Sequence, residues 1–167
     1  MAEHDTLKVL IVDDEEGMRL GARRVLTRGT MTIRELDEAV RFEADVAETG
    51  EEAFAKLAEQ SYDLMLLDYK LPDISGLEIL ERLRDEDPDM LIVMVTAYAS
   101  LDVAVSATKN GAFDFLAKPF TPEELSGVVR KAVRSLVTQR RARQLAEEKR
   151  RMRFEFLSVL SHELKAP

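Results

Sequence analysis

The chain contains no cysteine, which removes disulfide frameworks and thiolate metal sites from consideration. It lacks a long hydrophobic run. The longest, Met90 to Ala99, is far too short to cross a bilayer. Its opening, Met1-Ala-Glu-His-Asp5, is acidic, not basic and then apolar, so no signal peptide is expected. These absences imply a cytoplasmic, soluble protein with no membrane partner. What is present suffices for a packed core: 46% of the 167 residues are hydrophobic and 34% charged.

The net charge of −8 is unevenly spread. Up to Ser135 there are 28 acidic and 16 basic residues; from Leu136 onward there are 4 acidic and 8 basic. The shift separates two segments with different roles. The acidic part does not favour nucleic acid. The basic stretch Gln139 to Arg153 reads as a solvated signalling helix, and no helix-turn-helix follows it, so no nucleic-acid partner is expected.

Short apolar runs bounded by turn signals read as strands buried on both faces. Lys8 to Val12, Leu64 to Leu67 and Leu91 to Val95 fit this description, with Phe42 to Ala47 and Phe113 to Ala117 completing five strands. Between them lie helical patterns. One runs to about Arg28 with Met18, Ala22, Val25 and Leu26 on one face; another begins at the capping box Thr49-Gly-Glu-Glu52. A third spans Ser75 to Arg84 with Leu77, Leu80 and Leu83 inward, and a fourth follows Ser100 and stops near Asn110-Gly111. Thr121-Pro122 caps the last. Gly29 to Arg41 fits either an extended helix or a separate turn. Strand–helix alternation predicts an α/β fold: a flavodoxin-like, doubly wound, five-stranded parallel sheet in the order 2-1-3-4-5, with a long C-terminal helix or coiled coil.

In such sheets ligands bind beyond the carboxyl ends of the strands. Those ends carry Asp13-Asp14, Asp68, Thr96 and Lys118. Each alone reads as an ordinary strand-end or loop residue. Together they offer crowded carboxylates suited to Mg²⁺, a hydroxyl donor, and a lysine for a phosphoryl group. An aspartate in that setting can act as a nucleophile and become an aspartyl phosphate.

From these residues, with Pro72, Gly76 and Lys118-Pro119-Phe120, the stretch from 7 to about 135 resembles a response-regulator receiver domain. The resemblance implies phosphorylation on Asp68. It implies Mg²⁺ held by Asp14 and Asp68, with Asp13 close by and the backbone carbonyl of Lys70 completing the protein ligands. Lys118 would hold the phosphoryl oxygens, and the Lys118-Pro119 peptide would be cis. Thr96 and Phe115 would form the switch, and Lys70 and Tyr98 would flank the path of the hydrolytic water. The receiver would catalyse its own phosphorylation and dephosphorylation. About ten extra residues within Gly29 to Arg41 depart from the family pattern.

The tail, Phe156-Leu-Ser-Val-Leu-Ser-His-Glu-Leu-Lys-Ala-Pro167, resembles the phosphoacceptor helix of a histidine kinase. That implies phosphorylation of His162, with Glu163 as its adjacent base, and a natural protein that continues into a kinase core. The expected organisation is a receiver over 1–135, a basic helical linker over 136–153 and the start of the kinase helix over 154–167. Thr121 and His162 lie 41 residues apart, on the order of 60 Å along a straight helix, so transfer between His162 and Asp68 of one chain is not expected. The leading reading is a receiver regulating an attached histidine kinase through a dimerising helix. Its phosphodonor would be a histidine kinase or phosphotransfer protein, and the helix would form a homodimer. Alternatives are a stand-alone response regulator with a coiled-coil output and a Mg²⁺-dependent aspartyl-phosphate phosphatase. Lys70 stands where that phosphatase needs a second aspartate.

Overall fold

The computed structural model describes residues 5–97 and 100–165. They divide into two compact units, Met1–Ala132 and Val133–Pro167.

In the first unit, β1 (Asp5–Val12) runs parallel to β3 (Glu38–Ala47) on one side and to β4 (Leu64–Asp68) on the other. β5 (Leu91–Thr96) and β6 (Asp114–Ala117) continue the parallel sheet. The helices between are α1 (Glu16–Thr27), α2 (Gly50–Glu59), α3 (Gly76–Glu86) and α4 (Leu101–Lys109). A sixth strand, β2 (Met31–Ile33), pairs antiparallel with β3, giving the order β2-β3-β1-β4-β5-β6.

The five expected strands therefore keep their predicted order, but the sheet is six-stranded and mixed, not five-stranded and parallel. The difference lies in the stretch whose form was open. Gly29, at φ +80°, follows the end of α1 and frees the chain to turn. Met31 to Ile33 then pairs with Glu38 to Val40, and a 3₁₀ turn (Arg34–Leu36) with Asp37 in the left-handed region closes the hairpin. Aspartate tolerates that conformation better than most side chains. Ile33 is fully buried, worth roughly 1.5–3 kcal/mol to the hairpin.

Successive strand residues face opposite sides of the sheet. Leu10, Val12, Met65, Leu67 and Met94 share one core with Ala53 of α2, Ile79, Leu80 and Leu83 of α3, and Ala107 of α4. Ile11, Leu66 and Val95 face the other way, beside Met18 and Ala22 of α1. Thr49 caps α2 as expected, accepting from the Glu52 N–H at 3.1 Å. Glu52 does not close a capping box; its carboxylate accepts from the Glu48 N–H, one residue before the cap. Ser75, Ser100 and Thr121 each cap the helix that follows.

α5 (Pro122–Lys165) begins in the first unit, where Leu125, Val129 and Ala132 are buried. In the second unit it continues as one helix, and every described side chain from Thr138 to Leu164 is exposed. Phe154, Phe156, Leu157, Val159, Leu160 and Leu164 are among them. No described helix is long and apolar enough to cross a membrane.

Candidate functional site

β1 delivers Asp13 and Asp14 to the edge of the sheet, and β4 delivers Asp68 to the same edge. Asp13 is buried; its Oδ1 accepts from the Glu15 N–H at 2.9 Å, which turns the chain into α1. One turn into that helix, Arg19 folds back. Its Nη1 donates to the Asp13 carbonyl at 2.8 Å and its Nη2 to Glu48 at 3.0 Å, and the side chain is itself buried. A buried guanidinium needs partners to offset its desolvation, and these two supply them. Arg19 thus fixes the strand end that presents the acid pair.

Lys118 reaches in just after β6, and the peptide that joins it to Pro119 is cis. Its Nζ lies 2.6 Å from Asp13 Oδ2, 3.3 Å from Asp68 Oδ2 and 3.7 Å from Glu15 Oε1. Asp13, Asp14 and Asp68 each offer a carboxylate oxygen within 4.8 Å of the others. Burial, and then the negative charge of Asp13, hold the Asp68 carboxyl above its ordinary value despite the opposing pull of Lys118. Burial alone would lower the Lys118 ammonium, but hydrogen bonds and charge from Asp13 and Asp68 carry it above its ordinary value. One lysine faces a surplus of negative charge.

That surplus suits a cation. The donors are oxygens alone, the preference of Mg²⁺ over softer metals. Two oxygens on one Mg²⁺ lie at most about 4.2 Å apart, so a small side-chain adjustment closes the set. The residues fit the ion.

The loop after Asp68 is tightly held. The Lys70 N–H points at Asp68 Oδ1 from 3.4 Å, a weak hydrogen bond, and Lys70 bridges to Ser75. The Gly76 N–H donates to the Tyr69 carbonyl at 2.7 Å. A Cβ on Gly76 would lie 2.1 Å from the Asp68 carbonyl oxygen, so only glycine permits the approach. From this loop Asp73 accepts the Gly50 and Glu51 N–H groups, both at 2.9 Å, at the start of α2. The Gly50 bond leads a set of backbone hydrogen bonds that lower its carboxyl below the ordinary value.

Thr96 is fully buried at the end of β5, and its carbonyl accepts from the Lys118 N–H at 2.9 Å. Phe115 is half-buried against the core beneath α2, α3 and α4. The fold therefore gathers Asp13, Asp14, Asp68 and Lys118 at one sheet edge, with Thr96 on the neighbouring strand. His162 and Glu163 sit exposed on α5 in the second unit and are not members of that cluster. Tyr98 and Pro167 lie outside the described residues. Sequence reasoning missed Glu15, Arg19 and Asp73. Arg19 had a weak signal, an arginine beside the half-buried Met18 and three before the buried Ala22; Asp73 and Glu15 had none.

Comparison with known proteins agrees with this geometry. The family described as response regulator receiver domain matches residues 9–130. The response regulator protein PilR of Pseudomonas aeruginosa is 37% identical over 133 residues, covering 76% of this chain and 26% of the relative. The DNA-binding transcriptional regulator NtrC of Salmonella typhimurium is 31% identical over 137 residues, covering 82% and 27%. The chain thus spans about a quarter of the length of these curated relatives. Among solved structures, a CheY-like receiver domain protein from Methanospirillum hungatei superposes with a TM-score of 0.69 at 30% identity, covering 81% of this chain and 99% of that one. NtrX from Brucella abortus gives a TM-score of 0.71 at 26% identity, covering 84% and 30%. The fold, the acidic strand ends and these matches agree that the chain belongs to the response regulator receiver domain family of two-component signalling.

Proposed function

We propose that Asp68 is the phosphoacceptor of this receiver. The observation that carries the reading is the Lys118 ammonium seated between Asp13 and Asp68, with Asp14 beside them. A carboxylate oxygen of Asp68 forms a bond to phosphorus as the bond to the donor's leaving group breaks, and the leaving group keeps the electron pair. The donor is a histidine kinase or a phosphotransfer protein. Lys118 pairs with a phosphoryl oxygen, and Thr96 donates its hydroxyl to another. Asp14, Asp68 and the Lys70 carbonyl would hold Mg²⁺, with Asp13 close by, and the ion would supply neutralisation of the phosphoryl charge. Arg19 and Gly76 keep the two acid-bearing loops in place. Thr96 and Phe115 form the switch, Thr96 moving toward the phosphoryl group and Phe115 turning inward.

For the output, the receiver occupies 1–135, a basic linker 136–153 and the start of a kinase phosphoacceptor helix 154–167, with His162 phosphorylated and Glu163 its base. Six exposed apolar side chains between Phe154 and Leu164 support this reading, because a partner helix in a homodimer would bury them. A second reading, a DNA-binding output, is supported by the likeness to NtrC, a DNA-binding transcriptional regulator.

The acceptor is tested by incubating the chain with Mg²⁺ and acetyl phosphate and mapping the added phosphoryl group by peptide mass. One group on Asp68, absent from Asp68→Asn, supports the reading. Unchanged labelling of Asp68→Asn overturns it.

A further inference from the structure

The hairpin that interrupts the family pattern builds a cleft of about 520 Å³ against α1 and the first part of α5. Three arginines line it: Arg28 at the end of α1, Arg34 in the 3₁₀ turn and Arg130 on α5. Their convergence stands out in a segment where acids outnumber bases 28 to 16 up to Ser135. Glu35 is the one acid in the lining. Among the described residues neither Arg28 nor Arg34 makes an ion pair within 4 Å. Arg130 spends one N–H on the Thr32 carbonyl, which ties the hairpin to α5 and leaves its other donors available.

We propose that this cleft binds a small molecule bearing a diphosphate group. Three like charges line one cleft with a single acid, Glu35, so the cleft carries a surplus of positive charge that an anion would offset. Guanidinium forks match phosphate oxygens two at a time, and three guanidinium charges are balanced more fully by a diphosphate than by a single phosphate. The cleft lies within the range of small-molecule sites. Phe42 and Leu26, themselves mostly buried, add an apolar wall for the organic part. The cleft is separate in composition from the acceptor site, sharing none of its residues. A ligand there would bridge the hairpin and α5, adding to the Arg130–Thr32 tie.

The test is a calorimetric titration of the whole chain with pyrophosphate and with ADP, in metal-free, low-salt buffer. Saturable binding of both is expected, tighter for ADP because of the apolar wall. Loss of one charge-assisted contact typically costs a factor of ten or more, so Arg28→Ala and Arg34→Ala should each weaken binding about tenfold. Glu35→Gln should tighten it several-fold by removing the competing negative charge, a gain that misfolding cannot imitate. No saturation, arginine variants that bind like the wild type, or a Glu35→Gln variant that binds no tighter, each overturn the proposal.

Discussion

Replacing Gly76 with alanine tests how closely the acceptor strand and its loop are fitted. The added Cβ would sit 2.1 Å from the Asp68 carbonyl oxygen and 3.0 Å from both the Asp68 carbonyl carbon and the Tyr69 Cα. Ordinary contact begins near 3.4 Å, so the closest pair is about 1.3 Å too near. All three obstructing atoms are backbone, so no side chain can rotate aside. The strand end, the loop or the start of α3 must move by about 1 Å. Overpacking of this kind costs about 1–3 kcal/mol, and alanine's better helix propensity returns at most about 1 kcal/mol. The larger effect is on chemistry, because a displacement of about 1 Å at a reacting group lowers rates on the order of 100-fold. Gly127, on α5 with nothing within 4 Å of its missing Cβ, is the control; Gly127→Ala should be neutral or stabilising. Urea melts and the rate of labelling by acetyl phosphate check both. Wild-type stability together with a wild-type rate in Gly76→Ala would refute the close approach.

Lys118→Ala leaves Asp13 and Asp68 buried and facing each other, so in metal-free buffer it should destabilise the fold by about 3–5 kcal/mol, and by less with Mg²⁺, as denaturant melts would report. Because Lys118 is held above its ordinary value of 10.5, its contribution is present at neutral pH and is lost only as pH rises beyond that value. Asp68 is raised from 3.8, so its ionisation costs stability as pH climbs through the elevated value; metal-free Asp68→Asn should be more stable than wild type at pH 7 and converge with it in acid. Asp73→Ala, at an exposed site, should cost about 0.5–1.5 kcal/mol. Because the Asp73 carboxyl is lowered from 3.8, the cost should fade as pH falls through the lowered value. Light scattering should show self-association of the full chain at tens of micromolar and its loss on truncation at Ser135; monomers in both cases would contradict the dimer.

The acceptor site was legible because Asp13, Asp68 and Thr96 follow unbroken apolar runs and Lys118 follows a short strand that ends at Pro119. A strand announces its own end, so Asp13, Asp68, Thr96 and Lys118 could be placed at the carboxyl ends of neighbouring strands without coordinates. Local capping signals at Thr49, Ser100 and Thr121 read correctly because partner and donor lie within three residues. The hairpin was not legible. β2 has three residues, too few to show a period, and its identity depends on pairing with β3. Glu52 bonds one residue earlier than the capping-box pattern implies, a choice made by the local path of the chain at Glu48. Arg19 and Asp73 act across 29 and 23 residues of sequence, on Glu48 and Gly50, and such partners are set by tertiary structure alone.

The central claim, that three carboxylates and Lys118 form a cation-dependent phosphoacceptor site, is tested most directly by labelling with acetyl phosphate across a Mg²⁺ titration, in wild type and in Asp14→Ala. The account predicts saturable, Mg²⁺-dependent labelling of the wild type and its loss in Asp14→Ala. Equal labelling of the two at every Mg²⁺ concentration, or wild-type labelling that persists in excess chelator, would contradict it.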